Sequence, residues 1–117
     1  MGELQNIIKK YNIKPKKSLG QNFLVDENIT RKIIKNANAS DKDIIIEVGA
    51  GIGTLTRELA QTAKKVIAIE FDRKLIAALK ENVSNYNNVD IINSDILMLD
   101  IQKIIDDISK NSNQDCI

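Results

Sequence analysis

Ile44-Ile45-Ile46-Glu47-Val48 runs straight into Gly49-Ala50-Gly51-Ile52-Gly53, and this junction constrains the chain more than any other feature. The apolar run reads as a buried strand, and Thr54 to Ala63 continues as a helix. A strand, a tight glycine turn and a helix make the front of a nucleotide-binding α/β unit. Glycine is needed because a backbone without Cβ can turn with positive φ and lie against a ligand. Dinucleotide-binding turns want Gly-x-Gly-x-x-Gly. Here the third glycine comes one residue early, at Gly53, and Thr54 stands where that pattern wants glycine. The spacing therefore disfavours an NAD-binding domain. The plainest alternative is a turn that only packs a helix onto a strand.

The charges around the turn narrow its ligand. No Lys or Arg occurs from Ile44 to Thr56, so the loop suits a cation better than a phosphate. Gly-x-Gly-x-Gly after an acidic residue is similar to motif I of the methyltransferases that use S-adenosylmethionine, a sulfonium cation. Gly49 and Gly51 would bring backbone against that cofactor. Lys65-Val66-Ile67-Ala68-Ile69-Glu70 reads as a second buried strand ending in an acid. Glu70 comes about twenty residues after Gly49, the spacing at which an acid can accept from ribose hydroxyls. Phe71 is placed to cover an adenine face. Val89-Asp90-Ile91-Ile92-Asn93 reads as a third strand, followed by Asp95, a candidate acceptor for the adenine amino group, with Ile96 against the ring. Taken singly, Glu70 is also a solvated strand-end acid, and Asp95 an N-cap or turn residue.

The remainder of the chain gives βαβαβα with a helical prelude. Asp26 is placed to cap a helix to about Asn38, with Ile29, Ile33, Ile34 and Ala37 on one face. Asp72 caps a helix to about Val83. Asp100 caps another in which Ile101, Ile104, Ile105 and Ile108 form an apolar stripe, with a polar tail from Lys110. One domain or less fits in 117 residues, 43% of them hydrophobic and 28% charged. These residues include no histidine, which removes His-based acid–base chemistry and the usual zinc sites. No apolar run approaches the ~20 residues of a membrane span. Cys116 stands alone and the N-terminus has no secretory pattern, so a cytoplasmic location is expected. Net charge is +1, but Lys9, Lys10, Lys14, Lys16 and Lys17 cluster without an acid among them. Such an arm can follow a phosphate backbone, with Lys14, Lys16 and Lys17 as candidate RNA contacts. A merely solvated N-terminus is the alternative.

Lys16-Lys17-Ser18-Leu19-Gly20-Gln21-Asn22-Phe23-Leu24, followed by Glu47 to Thr56, closely resembles the KsgA-type ribosomal RNA adenine dimethyltransferases. The Erm macrolide-resistance methyltransferases share Gln-Asn-Phe-Leu and the order of motifs. Ser18-Leu19-Gly20 before Gln21 is more similar to the KsgA type. The resemblance implies two methyl transfers from S-adenosylmethionine, with S-adenosylhomocysteine as product, to the exocyclic nitrogen of adenines in small-subunit 16S ribosomal RNA. It also implies cofactor contacts at Asn22, Leu24, Gly49, Glu70 and Asp95. An Erm-like 23S target and a non-catalytic RNA-binding module are the alternatives.

The resemblance also defines what is not here. The family continues into a fourth strand ending in Asn-Leu-Pro-Tyr, which holds the target adenine. This chain has one proline, Pro15, and no such motif, so no catalytic residue is assigned. The expected fold class is α/β: the front half of a Rossmann-like methyltransferase domain, three parallel strands with flanking helices. Residues 1–25 form the basic arm with the Gln-Asn-Phe-Leu segment, and 26–117 the partial cofactor domain. The fragment alone is expected to be inactive. In the family, strand four lies beside strand one. An uncovered Ile44–Val48 edge and a thinly covered last helix predict self-association.

Overall fold

The computed structural model describes residues 2–13 and 27–112. In chain order these form α1 (Gly2–Lys10), α2 (Glu27–Ala37), β1 (Ile44–Val48), α3 (Thr54–Thr62) and β2 (Lys65–Glu70). After β2 come a 3-10 turn (Arg73–Leu75), α4 (Ile76–Asn82), β3 (Val89–Asn93), a second 3-10 turn (Ile96–Met98) and α5 (Ile101–Ser112). The strands make one parallel sheet in the order β1-β2-β3, as the apolar runs predict. Register sets Glu47 beside Ala68 and Glu70 beside Asn93.

β2 is central and covered on both faces, which explains why it reads as unbroken Val-Ile-Ala-Ile. Val66, Ile67, Ala68 and Ile69 are each no more than 1% exposed. Leu59, Ala60 and Ala63 at α3 cover Val66 on one side, and Leu79 and Val83 from the α4 region complete the core around Ala50 and Ala68. Lys65 and Asp90 form an ion pair of 2.9 Å between β2 and β3, at the sheet's surface. Asp72 caps the turn before α4, its side chain accepting from the Lys74 N–H at 2.9 Å. Asp100 accepts from the Lys103 N–H at 3.1 Å at the start of α5.

Several parts depart from the sequence reading. The Asp72-capped segment opens as a 3-10 turn before becoming α-helical, and α5 runs on to Ser112 rather than giving way to a tail at Lys110. Among the described side chains of α2, Ile34 joins the α3 core, whereas Ile33 is 40% exposed and Ala37 is exposed too; the Ile29 side chain lies outside the described ones. The reason is that β1 is a sheet edge among the described residues, so α2 has only part of a surface to pack on. The Asp26 cap lies outside the described residues.

The largest difference is at the N-terminus. Residues 2–10 of the expected basic arm form a helix. Ile7 is 4% exposed and packs with Ile52, Leu75 and Ala78, while Ile8, Tyr11 and Ile13 close over the cluster. Lys10 meets Glu81 at 2.6 Å, and the Tyr11 hydroxyl donates to the same oxygen at 2.8 Å. The Lys10 bond, followed by that of Tyr11, holds the Glu81 carboxyl below its usual range. One lysine of the basic cluster is thus engaged with α4. More important for the site, Ile7 braces the glycine loop from outside through Ile52.

Candidate functional site

At the C-terminal ends of β1 and β2 the glycine loop folds back onto the sheet. Gly49, Gly51 and Gly53 have φ of +75°, +62° and +90°. A side chain is disfavoured at these values. The three do different work. A Cβ on Gly53 would lie 2.7 Å from Leu79 Cδ1 and 3.2 Å from Val83 Cγ1, so Gly53 lets α3 pack closely on α4. A Cβ on Gly49 would meet nothing within 4 Å. The loop is therefore open where Gly49 faces outward and closed where Gly53 packs.

Four backbone N–H groups of the loop have partners among the described residues. The Gly49 and Ala50 N–H groups donate to Ile69 O at 2.8 and 3.1 Å, and Gly53 N–H to Ala50 O at 3.0 Å. Gly51 N–H donates to Glu70 Oε1 at 2.6 Å, while Asp72 N–H donates to Glu70 Oε2 at 2.7 Å. Glu70, 5% exposed, thus ties the loop after β1 to the turn after β2. On the other flank Asn82 Nδ2 donates to Ile52 O at 2.7 Å, and Asn82 Oδ1 accepts from Arg57 at 3.2 Å. Sequence reasoning missed Asn82, because an Asn at the end of a helix gives no local sign that it reaches back to an earlier loop. The Thr54 hydroxyl is buried at the start of α3 with no hydrogen-bond partner among the described residues.

Glu47 is a second residue whose setting the sequence did not disclose. It is 9% exposed, and its Oε1 accepts from the buried Thr56 hydroxyl. It also lines a groove of about 360 Å³ between α2 and β1, with Ile33, Ala37, Leu55 and Leu59. Burial pushes the Glu47 carboxyl up to about 7; the Thr56 bond opposes this and the Glu70 carboxylate adds to it. The two acids differ in support, since Glu70 accepts two N–H bonds and Glu47 one hydroxyl bond.

The structure brings Gly49, Gly51 and Glu70 together as one loop. Asp95 follows β3, half-buried, with Oδ1 accepting from the Leu97 N–H at 3.0 Å. It caps the second 3-10 turn, the local role open to an aspartate there. Phe71 stands 60% exposed beside Glu70, free to present its ring. Ile96 is half-buried, whereas Leu97 and Met98 are 87% and 81% exposed. Asn22, Leu24, Lys14, Lys16 and Lys17 lie outside the described residues. Among the described residues no group of acids, Cys or His is arranged to hold a metal, and no helix is long and apolar enough to cross a membrane.

The donor set fits a cation carrying hydrogen-bonding groups. Two buried carboxylates flank a glycine turn, a buried hydroxyl has unused bonding capacity, and no Lys or Arg lies in the loop. A phosphate there would face the Glu70 carboxylate with no Lys or Arg in the loop to offset it, which Coulomb repulsion disfavours.

Comparison with known proteins gives the same direction. A family model described as ribosomal RNA adenine dimethylase matches residues 12–117. Ribosomal RNA small subunit methyltransferase A of Clostridioides difficile is 52% identical over 103 residues, covering 88% of this chain and 36% of that protein. The protein of the same name from Lysinibacillus sphaericus is 52% identical over 101 residues, covering 86% and 34%. This chain thus spans about a third of the length of the curated relatives it matches. Among solved structures, the 23S rRNA methyltransferase ErmE is 35% identical with a TM-score of 0.63, over 68% of this chain and 32% of that one. A dimethyladenosine transferase from Plasmodium falciparum is 34% identical with a TM-score of 0.62, over 68% and 30%. An RNA methyltransferase from Salinibacter ruber, solved with S-adenosyl-L-homocysteine, shares the fold at 19% identity and a TM-score of 0.62, over 68% and 54%.

The buried acid gives a prediction about stability. A carboxyl whose folded pKa is raised binds more protons folded than unfolded. Its contribution is therefore full below the unfolded value of 4.5 and is lost as pH rises to about 7. The full difference corresponds to at most about 3 kcal/mol. Glu47→Gln should remove that slope, becoming more stable relative to the parent as pH goes from 5 to 8. Urea midpoints at several pH values check this, and parallel pH profiles for parent and variant would refute it.

Proposed function

Because the chain belongs to the ribosomal RNA adenine dimethylase family, we propose that its glycine loop binds S-adenosylmethionine for methyl transfer to adenine amino groups of ribosomal RNA. The observation that carries this reading is the outward-facing left-handed Gly49 between two buried carboxylates in a loop without a cation. When bound, the cofactor supplies a methyl group activated on a sulfonium. The chain's own residues bind and orient. Gly49 and Gly51 allow backbone contact, and each Glu70 oxygen keeps a lone pair beyond its N–H bond for the ribose. Asp95 Oδ2, not engaged in the cap, accepts from the adenine amino group, while Phe71 covers the ring. Asn22 and Leu24 complete the pocket on this reading. The whole enzyme then acts on a base taken out of its stack, where proximity and alignment lower the barrier.

Identity favours the small-subunit target. Relatives named for the small subunit share 52% of residues, against 35% for the 23S enzyme whose structure was matched. Such an enzyme works in the cytoplasm, where ribosomal subunits are made. A non-catalytic RNA-binding module gives no reason for a glycine turn without Lys or Arg whose Gly49 faces outward. Lys14, Lys16 and Lys17 contact RNA phosphates in this proposal. Among the described residues β1 is a sheet edge, with Val48 57% exposed, which supports pairing between two copies.

Three experiments test these assignments. S-adenosylhomocysteine at 100 times its Kd should stabilise the parent by about 2.7 kcal/mol in a thermal shift, and Glu70→Ala should lose most of that gain. An unshifted parent, or an equal shift in the variant, contradicts the cofactor assignment. Filter binding should show tighter association with small-subunit than large-subunit RNA. Its salt slope should fall by roughly 0.7–0.9 for each phosphate that a Lys14, Lys16, Lys17→Ala triple variant no longer neutralises. A salt-insensitive affinity contradicts the role of these lysines at phosphates. Light scattering after size exclusion should give a mass that rises with concentration, and a monodisperse monomer at high micromolar concentration contradicts edge pairing.

A further inference from the structure

α1 precedes the residues that the family model matches, 12–117, yet it is built into the support of the glycine loop. The helix has a defined stop. Asn12 has φ +50°, its N–H returns to Lys9 O at 3.1 Å, and the Ile13 N–H returns to Ile8 O at 3.0 Å. Ile8 and Ile13 pack against the cluster that contains Ile7. Within Gly49 to Gly53, Ile52 is the only large side chain, and it is 2% exposed. Glycines on both sides leave its backbone free to turn, so the side chain decides where that peptide sits. Ile7 packs with Ile52, together with Leu75 and Ala78. A second route runs through α4. Lys10 Nζ and the Tyr11 hydroxyl both donate to Glu81 Oε1, at 2.6 and 2.8 Å, and Lys10 Nζ stands 5.4 Å from the Tyr11 ring centre. Glu81 is followed by Asn82, whose Nδ2 donates to Ile52 O at 2.7 Å. The residue before Ile52 is Gly51, and its N–H meets Glu70 Oε1 at 2.6 Å.

We propose that α1 is a positioning element of the cofactor site: Ile7 seats Ile52, Lys10 and Tyr11 fasten α1 to α4 through Glu81, and the Gly51 N–H is thereby held on the acid that receives the ribose. The inference rests on the cofactor assignment above. It adds a determinant of affinity that belongs to α1 rather than to the loop. Truncating Ile7 removes contacts from one side of Ile52 and leaves space beside a peptide flanked by glycines, so the loop takes up further arrangements. Binding then scales with the fraction of loops in the competent arrangement. A fall of that fraction to about a tenth weakens affinity about tenfold. The ion pair is more open to solvent, with the Lys10 and Glu81 side chains 62% and 37% exposed, so its loss acts more weakly, by about threefold.

Isothermal titration of S-adenosylhomocysteine into parent, Ile7→Ala, Ile7→Val and Glu81→Ala gives the affinities, and amide hydrogen exchange on the unliganded proteins gives a second readout. Ile7→Ala should bind about tenfold more weakly and exchange faster at Gly51, while Val66 to Ile69 in β2 keep the parent's protection. Ile7→Val keeps a branched side chain against Ile52 and should recover most of the affinity. Glu81→Ala should lose about threefold and also exchange faster at Gly51. It changes a partly exposed group, so it decides the matter if Ile7→Ala does not fold. Parental affinity in Ile7→Ala or in Glu81→Ala overturns the proposal and leaves the cofactor assignment standing. So does a weakened Ile7→Ala in which β2 loses protection in step with Gly51, because Ile7 then only stabilises the fold. Absence of binding by the parent overturns both.

Discussion

The bond from Gly51 N–H to the Glu70 carboxylate is the interaction on which the site depends. It joins the turn after β1 to the tip of β2, two segments that the parallel sheet brings together but does not itself fasten. With the second Glu70 oxygen on Asp72 N–H, one buried acid fixes both the loop and the entry to α4. Asn82 on the carbonyl of Ile52, and Ile7 against its side chain, hold the other side. The loop is thus held from β2, from α4 and from α1, with its open side at Gly49. Its geometry is set before any ligand arrives, which reduces the ordering cost of binding.

That arrangement makes the charge of the site a consequence of its architecture. The acid that fastens the loop must be buried to do so, and it brings its charge with it. Glu47 adds a second acid one strand away, and the loop contains no Lys or Arg to offset either. A Gly-rich turn at a helix start usually attracts anions through its N–H groups. Here the Gly49, Ala50, Gly51 and Gly53 N–H groups are already directed to Ile69, Glu70 and Ala50. The same motif geometry that serves phosphate in other α/β domains therefore presents acceptors instead of donors.

Much of the fold was legible because its causes are local. Ile44–Val48, Lys65–Glu70 and Val89–Asn93 are short apolar runs bounded by turns, and each formed over the expected residues. Asp72, Asp95 and Asp100 cap from positions that sequence alone identifies. What was not legible depends on contacts across the chain. Glu47 looks like any acid in a strand until Thr56 and the groove enclose it. Asn82 reaches back to Ile52 over a helix, and Ile7 is apolar in a lysine-rich stretch whose composition suggests a solvated arm. Ile33 was placed inward by periodicity alone, which specifies a face of α2 but not whether anything covers it.

The central claim is that this loop selects a cation. Amide chemical shifts of Gly49, Gly51 and Glu70, followed during parallel titrations with S-adenosylmethionine and with adenosine diphosphate, test it most directly. The account predicts saturable shifts at all three amides with S-adenosylmethionine and none at equal concentrations of the diphosphate. Comparable saturable shifts with adenosine diphosphate would contradict it, because the buried carboxylates could not then be setting the ligand's charge.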